Sequence, residues 1–193
     1  SGLITLEAND LQTDDGFGVN LAHEYYHVVS LRRQSERLGR ERYGWEFPKI
    51  KRDLSWLEEG IVEKSARITA RDVGCFKFTP EYQGKVNIIE TMCGRMAGTN
   101  SVDWAFSLFE EAVYGRGNLK PLFVAIQKHY KNGRGIKRFF NLVDQISKSE
   151  ARYKELDKTG REGESIKPWE EYNQGVDELE EFASFSPEAG EKK

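Results

Sequence analysis

The sequence predicts an α+β fold that is mostly α: a short N-terminal edge strand, two helices that carry histidine and carboxylate side chains, and a helical subdomain behind them. Three observations predict it. Residues 2–7, Gly-Leu-Ile-Thr-Leu-Glu, have the β-branched content and abrupt start of a short strand. From Val86 onward, apolar residues recur at helical spacing. Between these stretches lie His23-Glu24-Tyr25-Tyr26-His27 and, further on, Trp56-Leu57-Glu58-Glu59-Gly60.

Composition bounds the possibilities. A chain of 193 residues, 38% hydrophobic and 32% charged, suits a soluble globular protein with one well-buried core, or one core and an appended subdomain. The net charge of −3 gives no basic excess for nucleic acid or an anionic membrane. No run of 18 apolar residues is present to span a bilayer. The first residues have neither the charged nor the apolar region of a signal peptide, so none is visible and the compartment stays open. Ser1-Gly2 reads as a cloning scar or as a start inside a longer protein. Cys75 and Cys93, the two cysteines, lack C-x-x-C spacing and read as small buried hydrophobes.

Taken in order, residues 9–20 are polar with turn signals at Asn9-Asp10 and Asp14-Asp15-Gly16. A helix starts near Gly18–Asn20 and runs to about Leu38, with Gly39 as its stop. Residues 39–51 form a loop whose Tyr43, Trp45, Phe47 and Pro48 pin it to the core or line a pocket. A second helix spans about Asp53 to Ala70, with Asp53 as N-cap. Gly60 lies in its interior, where glycine costs roughly 1 kcal/mol relative to alanine. That is a broken local rule of the kind a close-packed site shows. Residues 71–79 connect onward, partly extended.

Ile88, Ile89, Met92, Cys93 and Met96 mark the next helix as core-facing. Gly98-Thr99-Asn100-Ser101 breaks it, with Ser101 as a cap for a helix carrying Trp104, Phe106, Leu108, Phe109 and Val113. Glycine breaks at 115–118 and 133–135 then frame a tandem pair of short helices, 119–130 and 136–147. Residues 149–163 read as an exposed charged helix and loop, and 168–182 as a last amphipathic helix with Trp169, Tyr172, Val176 and Leu179 on one side. The resulting organisation is a metal-binding core over 1–80, a helical subdomain over 81–183 and a polar tail over 184–193.

The chemistry resides in the first motif. Histidines four apart on a helix stand on one face, one turn apart, where both rings can grip one metal ion. His23 and His27 are so placed, and Glu24 lies beside them to take the proton of a bound water. A catalytic zinc needs three protein ligands and an open position, so a third ligand is expected on a following helix. Glu58 and Glu59 are the neighbouring choices. Leu54, Leu57, Ile61 and Ile68 define an apolar stripe to which Glu58 lies nearer than Glu59, whereas a ligand must face the edge of the core. Periodicity alone leaves the two open.

His23-Glu24-x-x-His27 followed by Trp56-Leu57-x-Glu59-Gly60 resembles the gluzincin metallopeptidases, the thermolysin and aminopeptidase relatives grouped as peptidase MA-like, over about residues 3–66. The 31 residues between His27 and Glu59 make a longer spacer than in many members, and the further strands of that family's sheet are not found ahead of residue 2. The resemblance implies a zincin-like core, a Zn2+ cofactor held by His23, His27 and Glu59, and hydrolysis of a peptide or protein substrate with Glu24 as general base. It also implies that Glu63, four residues past Glu59, orients a ligand histidine; a solvated charge beside Lys64 is the plainer reading. Residues 3–6 would pair with extended substrate, or serve as an ordinary strand. Tyr114, His129 and Tyr130 are candidates for an oxyanion donor; as plain structure, Tyr114 is a helix-end packing residue and His129 a solvated one. The alternative function is a catalytically weak or inactive relative used for protein binding.

Overall fold

The computed structural model describes residues 18–29, 54–74, 80–114, 120–130 and 134–185. Among these, 90% are helical and no strand is present. The described fold is therefore all-α and not the expected α+β class. Of the stretches read as extended, residues 2–7 and 75–79 lie outside the described residues, and residues 71–74, the start of the connector, are the end of a helix and a turn. The other described residues follow the 3.6-residue period, and among them helix-on-helix packing buries the apolar faces without a sheet.

The helices are α1 (18–29), α2 (Ser55–Asp72), α3 (Gln83–Ala97), α4 (Val102–Val113), α5 (Lys120–His129), α6 (Arg134–Lys158) and α7 (Glu162–Ser184), with a 3-10 turn at Pro80–Tyr82 ahead of α3. The central helix is α2. It buries Trp56, Leu57, Gly60, Ile61, Val62, Glu63, Ser65, Ala66, Arg67 and Ala70, most of its circumference, and packs on α3, α4 and α6. Ile68, expected in its apolar stripe, is instead exposed. The expected cap, Asp53, lies outside the described residues, and Leu54 occupies the N-cap without a side-chain bond. A free N–H of the first turn is satisfied by tertiary structure: the Trp56 N–H donates to Ser147 Oγ on α6 at 3.1 Å.

Gly60 allows α3 to approach α2. A Cβ there would stand 2.7 Å from Ile89 Cδ1 and 3.0 Å from Lys85 Cβ. The broken helix rule thus reflects close helix packing, one residue round from Glu59.

The spacing of Ile88, Ile89, Met92, Cys93 and Met96 buries all five on α3. Cys93 is a free, buried thiol whose pKa burial pushes up to about 12. Ser101 caps α4, accepting the Trp104 N–H at 3.0 Å. The core face of α4 is Ala105, Phe106, Phe109 and Ala112, whereas Trp104 is exposed. The expected tandem of short helices is uneven: α5 has 10 residues and α6 has 25, running through the stretch read as a separate charged helix. A helix ending closes α6, with Gly160 in the left-handed region (φ 69°), its N–H on the Asp157 carbonyl and the Arg161 N–H on the Leu156 carbonyl. The chain reverses there, and α7 returns along α6; Ile146 meets Gly175 and Tyr153 meets Trp169. One apolar cluster, from Trp56 to Ala183, joins α2 to α7 across residue 80.

Candidate metal centre

His23 and His27 meet α2 at its Glu59–Arg67 face. Val19 and His23, four apart on α1, are both buried, while Leu21 and Tyr25 point outward. His27 lies one turn beyond His23, the ring centroids 4.7 Å apart. The two Nε2 atoms face each other at 2.9 Å. Glu59 faces both: Oε2 is 3.5 Å from His23 Nε2, and Oε1 is 3.4 Å from His27 Nε2.

These separations test the fit to a metal. Bonds of about 2.0–2.1 Å in a tetrahedral zinc site place ligand atoms about 3.3 Å apart. The spacings of 2.9, 3.4 and 3.5 Å bracket that edge. Two imidazoles and a carboxylate are also the donor set that suits zinc. His23, His27 and Glu59 are the one such group of possible ligands among the described residues. Of the neighbouring glutamates, Glu59 faces the rings, whereas Glu58, about 100° round the helix, is not in that group.

The remaining ring nitrogen of His23 is also held. Nδ1 lies 2.9 Å from Glu63 Oε2, and Glu63 is buried to 1% exposure. Glu63 is therefore not the solvated charge of the plainer reading; its other oxygen, Oε1, accepts from Arg67 Nε at 2.7 Å. Arg67 Nη1 donates to Gln83 Oε1 at 2.6 Å, and Gln83 Nε2 donates to Asn87 Oδ1 at 2.6 Å. The Tyr82 ring lies against His23, centroids 4.9 Å apart. In turn, Tyr82 and Trp56 flank the buried Lys85 ammonium, which pairs with Glu150.

The charges of the group act on one another. Burial is the largest effect on His23 and disfavours its charge, but hydrogen bonds to Glu59 and Glu63, with their negative charges, outweigh it and raise the ring's pKa to about 9. Burial likewise pushes Glu59 up, and bonds to His23 and His27 with their charge reverse this, holding its carboxyl well below the usual range.

Glu24 is half-buried on α1 between the two histidines in sequence. Of the oxyanion candidates, Tyr114 borders this region. Its ring lies 5.2 Å from that of Tyr26 on α1, and its Oη is buried beside Ser65. Burial raises its pKa well above the usual phenol value. Tyr130 serves the core instead: Oη donates to the Ala183 carbonyl at 3.0 Å and the ring stacks on Phe182. His129 packs edge-on against Tyr130. Residues 3–6 and the 39–51 loop, expected near substrate, lie outside the described residues.

Sequence reasoning missed Arg67, Tyr82, Gln83 and the Tyr26–Thr69 hydroxyl contact at 2.9 Å that also ties α1 to α2. Arg67 had a signal: it stands four residues after Glu63, the spacing of a helical ion pair. Tyr82 and Gln83 had none, because their contacts join distant stretches of chain. Comparison with protein-family models, curated proteins and solved structures finds no match. The gluzincin resemblance accordingly rests on the two motifs alone.

Proposed function

We propose that the protein is a zinc-dependent hydrolase of peptide bonds, with His23, His27 and Glu59 as metal ligands and Glu24 as general base. The observation that carries this reading is the triangle of His23 Nε2, His27 Nε2 and the Glu59 carboxylate, whose edges suit one tetrahedral ion. A zinc ion held there would supply Lewis acidity and lower the pKa of a bound water to about 7. The chain's own residues do the rest. The two histidines and Glu59 would hold the ion between α1 and α2. Glu63 holds His23 by Nδ1 so that Nε2 faces the ion. Glu24, next to His23 in the motif, accepts the water's proton and returns it to the leaving amine. Of the candidates for an oxyanion donor, Tyr114 is the one that touches α1, through Tyr26.

Elemental analysis of the purified chain, followed by cleavage of casein and a peptide library, tests this. One zinc per chain is expected, lost in His23→Ala and His27→Ala and kept in His129→Ala. Glu24→Gln should keep zinc and lose hydrolysis by roughly 10²–10⁴-fold, the usual contribution of a general base. Near wild-type turnover in Glu24→Gln would refute the mechanism. Zinc binding with no cleavage of any substrate would favour the binding-module alternative.

A further inference from the structure

We propose that Arg67, anchored by Gln83, is a positioning residue for this metal centre: it fixes the Glu63 carboxylate, and through it the orientation of the His23 ring. The proposal deepens the zinc reading and rests on it. Glu63 has its two oxygens assigned to different partners, Oε2 to His23 Nδ1 and Oε1 to Arg67 Nε. The carboxylate is buried, and a buried charge needs a paired and hydrogen-bonded partner. Arg67 supplies that partner and is itself only 7% exposed. Its planar guanidinium reaches two acceptors at once, Glu63 with Nε and Gln83 with Nη1.

The resulting chain of bonds, His23–Glu63–Arg67–Gln83–Asn87, runs from α1 across α2 to the first turns of α3. It follows a ladder on one face of α2, with Glu59, Glu63 and Arg67 spaced four residues apart. Glu59 meets the metal side of the rings and Glu63 the far side of His23. Removing Arg67 leaves Glu63 with one oxygen lacking the bond that sets its rotation. His23 then loses the fixed ring angle that aims Nε2 at the ion. Partners of this kind contribute about 10–100-fold to metal affinity.

The test is zinc affinity of the full chain by chelator competition, with the visible absorption of the Co2+-loaded protein as a geometric signature. Arg67→Met should weaken zinc binding by about 10–100-fold and alter the Co2+ bands. Arg67→Lys, which keeps the charge but not the fork, should lie between Arg67→Met and wild type. Gln83→Ala removes the exposed anchor without opening the core, and should show a smaller loss of the same sign; it decides the matter if circular dichroism finds Arg67→Met unfolded. Wild-type affinity and an unaltered Co2+ spectrum in folded Arg67→Met, or in Gln83→Ala where Arg67→Met does not fold, would overturn the positioning role while leaving the metal site intact. A wild-type chain that binds no zinc would overturn the metal reading beneath it.

Discussion

Truncating Glu59 to alanine is the sharpest perturbation of the proposed centre, because its neighbours in sequence supply the controls. Glu59 approaches both imidazole Nε2 atoms, at 3.5 and 3.4 Å, from a side chain that is 30% exposed. Its loss therefore opens no core cavity and leaves the His23–Glu63 contact in place. Four-ligand zinc sites bind with about 10–16 kcal/mol, or roughly 2.5–4 kcal/mol per ligand. Glu59→Ala should accordingly weaken zinc binding by ~10²–10³-fold. Glu63→Ala removes a bond to the far nitrogen of His23 and should lose about 10–100-fold. Glu58→Ala, outside the group of side chains close enough to share one ion, should change affinity little. Competition with a chromophoric chelator at one fixed pH measures all three variants on one scale. A larger loss in Glu58→Ala than in Glu59→Ala would move the ligand by one residue. Wild-type affinity in all three would refute the placement of the ion between α1 and α2.

Two further outcomes are expected. In the metal-free protein the His23 pKa rises from 6.5 to about 9, so its contribution is fully present below pH 6.5 and is lost as pH rises through 9. Over that window the shift corresponds to ~3 kcal/mol. Urea midpoints with chelator present should fall between pH 6.5 and 9, and a flat profile would contradict the proton's role. Gly60→Ala gains about 1 kcal/mol of helix propensity but forces a Cβ to 2.7 Å from Ile89 Cδ1 and 3.0 Å from Lys85 Cβ. Ordinary carbon contacts are about 3.5–4.0 Å, and overpacking costs about 1–3 kcal/mol. The variant should be less stable to urea, and a raised midpoint would mean that α2 and α3 can separate without cost.

What the sequence alone determined is whatever depends on neighbours along one helix. The i, i+4 spacing puts His23 and His27 on one face, Ser101 caps the helix that follows it, and the Ile88–Met96 pattern names a buried face correctly. These are short-range consequences of helical geometry, independent of the rest of the fold. The expected α+β class is not borne out: the described residues are 90% helical with no strand, and residues 2–7, from which a strand was read, lie outside them. Only tertiary structure decided which glutamate faces the histidines, because the α2 stripe inferred from periodicity assumed one buried face whereas α2 is enclosed by α3, α4 and α6. The same holds for Gly60, whose missing side chain is explained by Ile89 and Lys85 on another helix. Gln83 and Tyr82 reach the site from a separate element, so their part in holding Arg67 and His23 depends on how helices pack. Packing of this kind joins residues remote in sequence, and no local pattern of apolar and polar residues encodes which of them will meet.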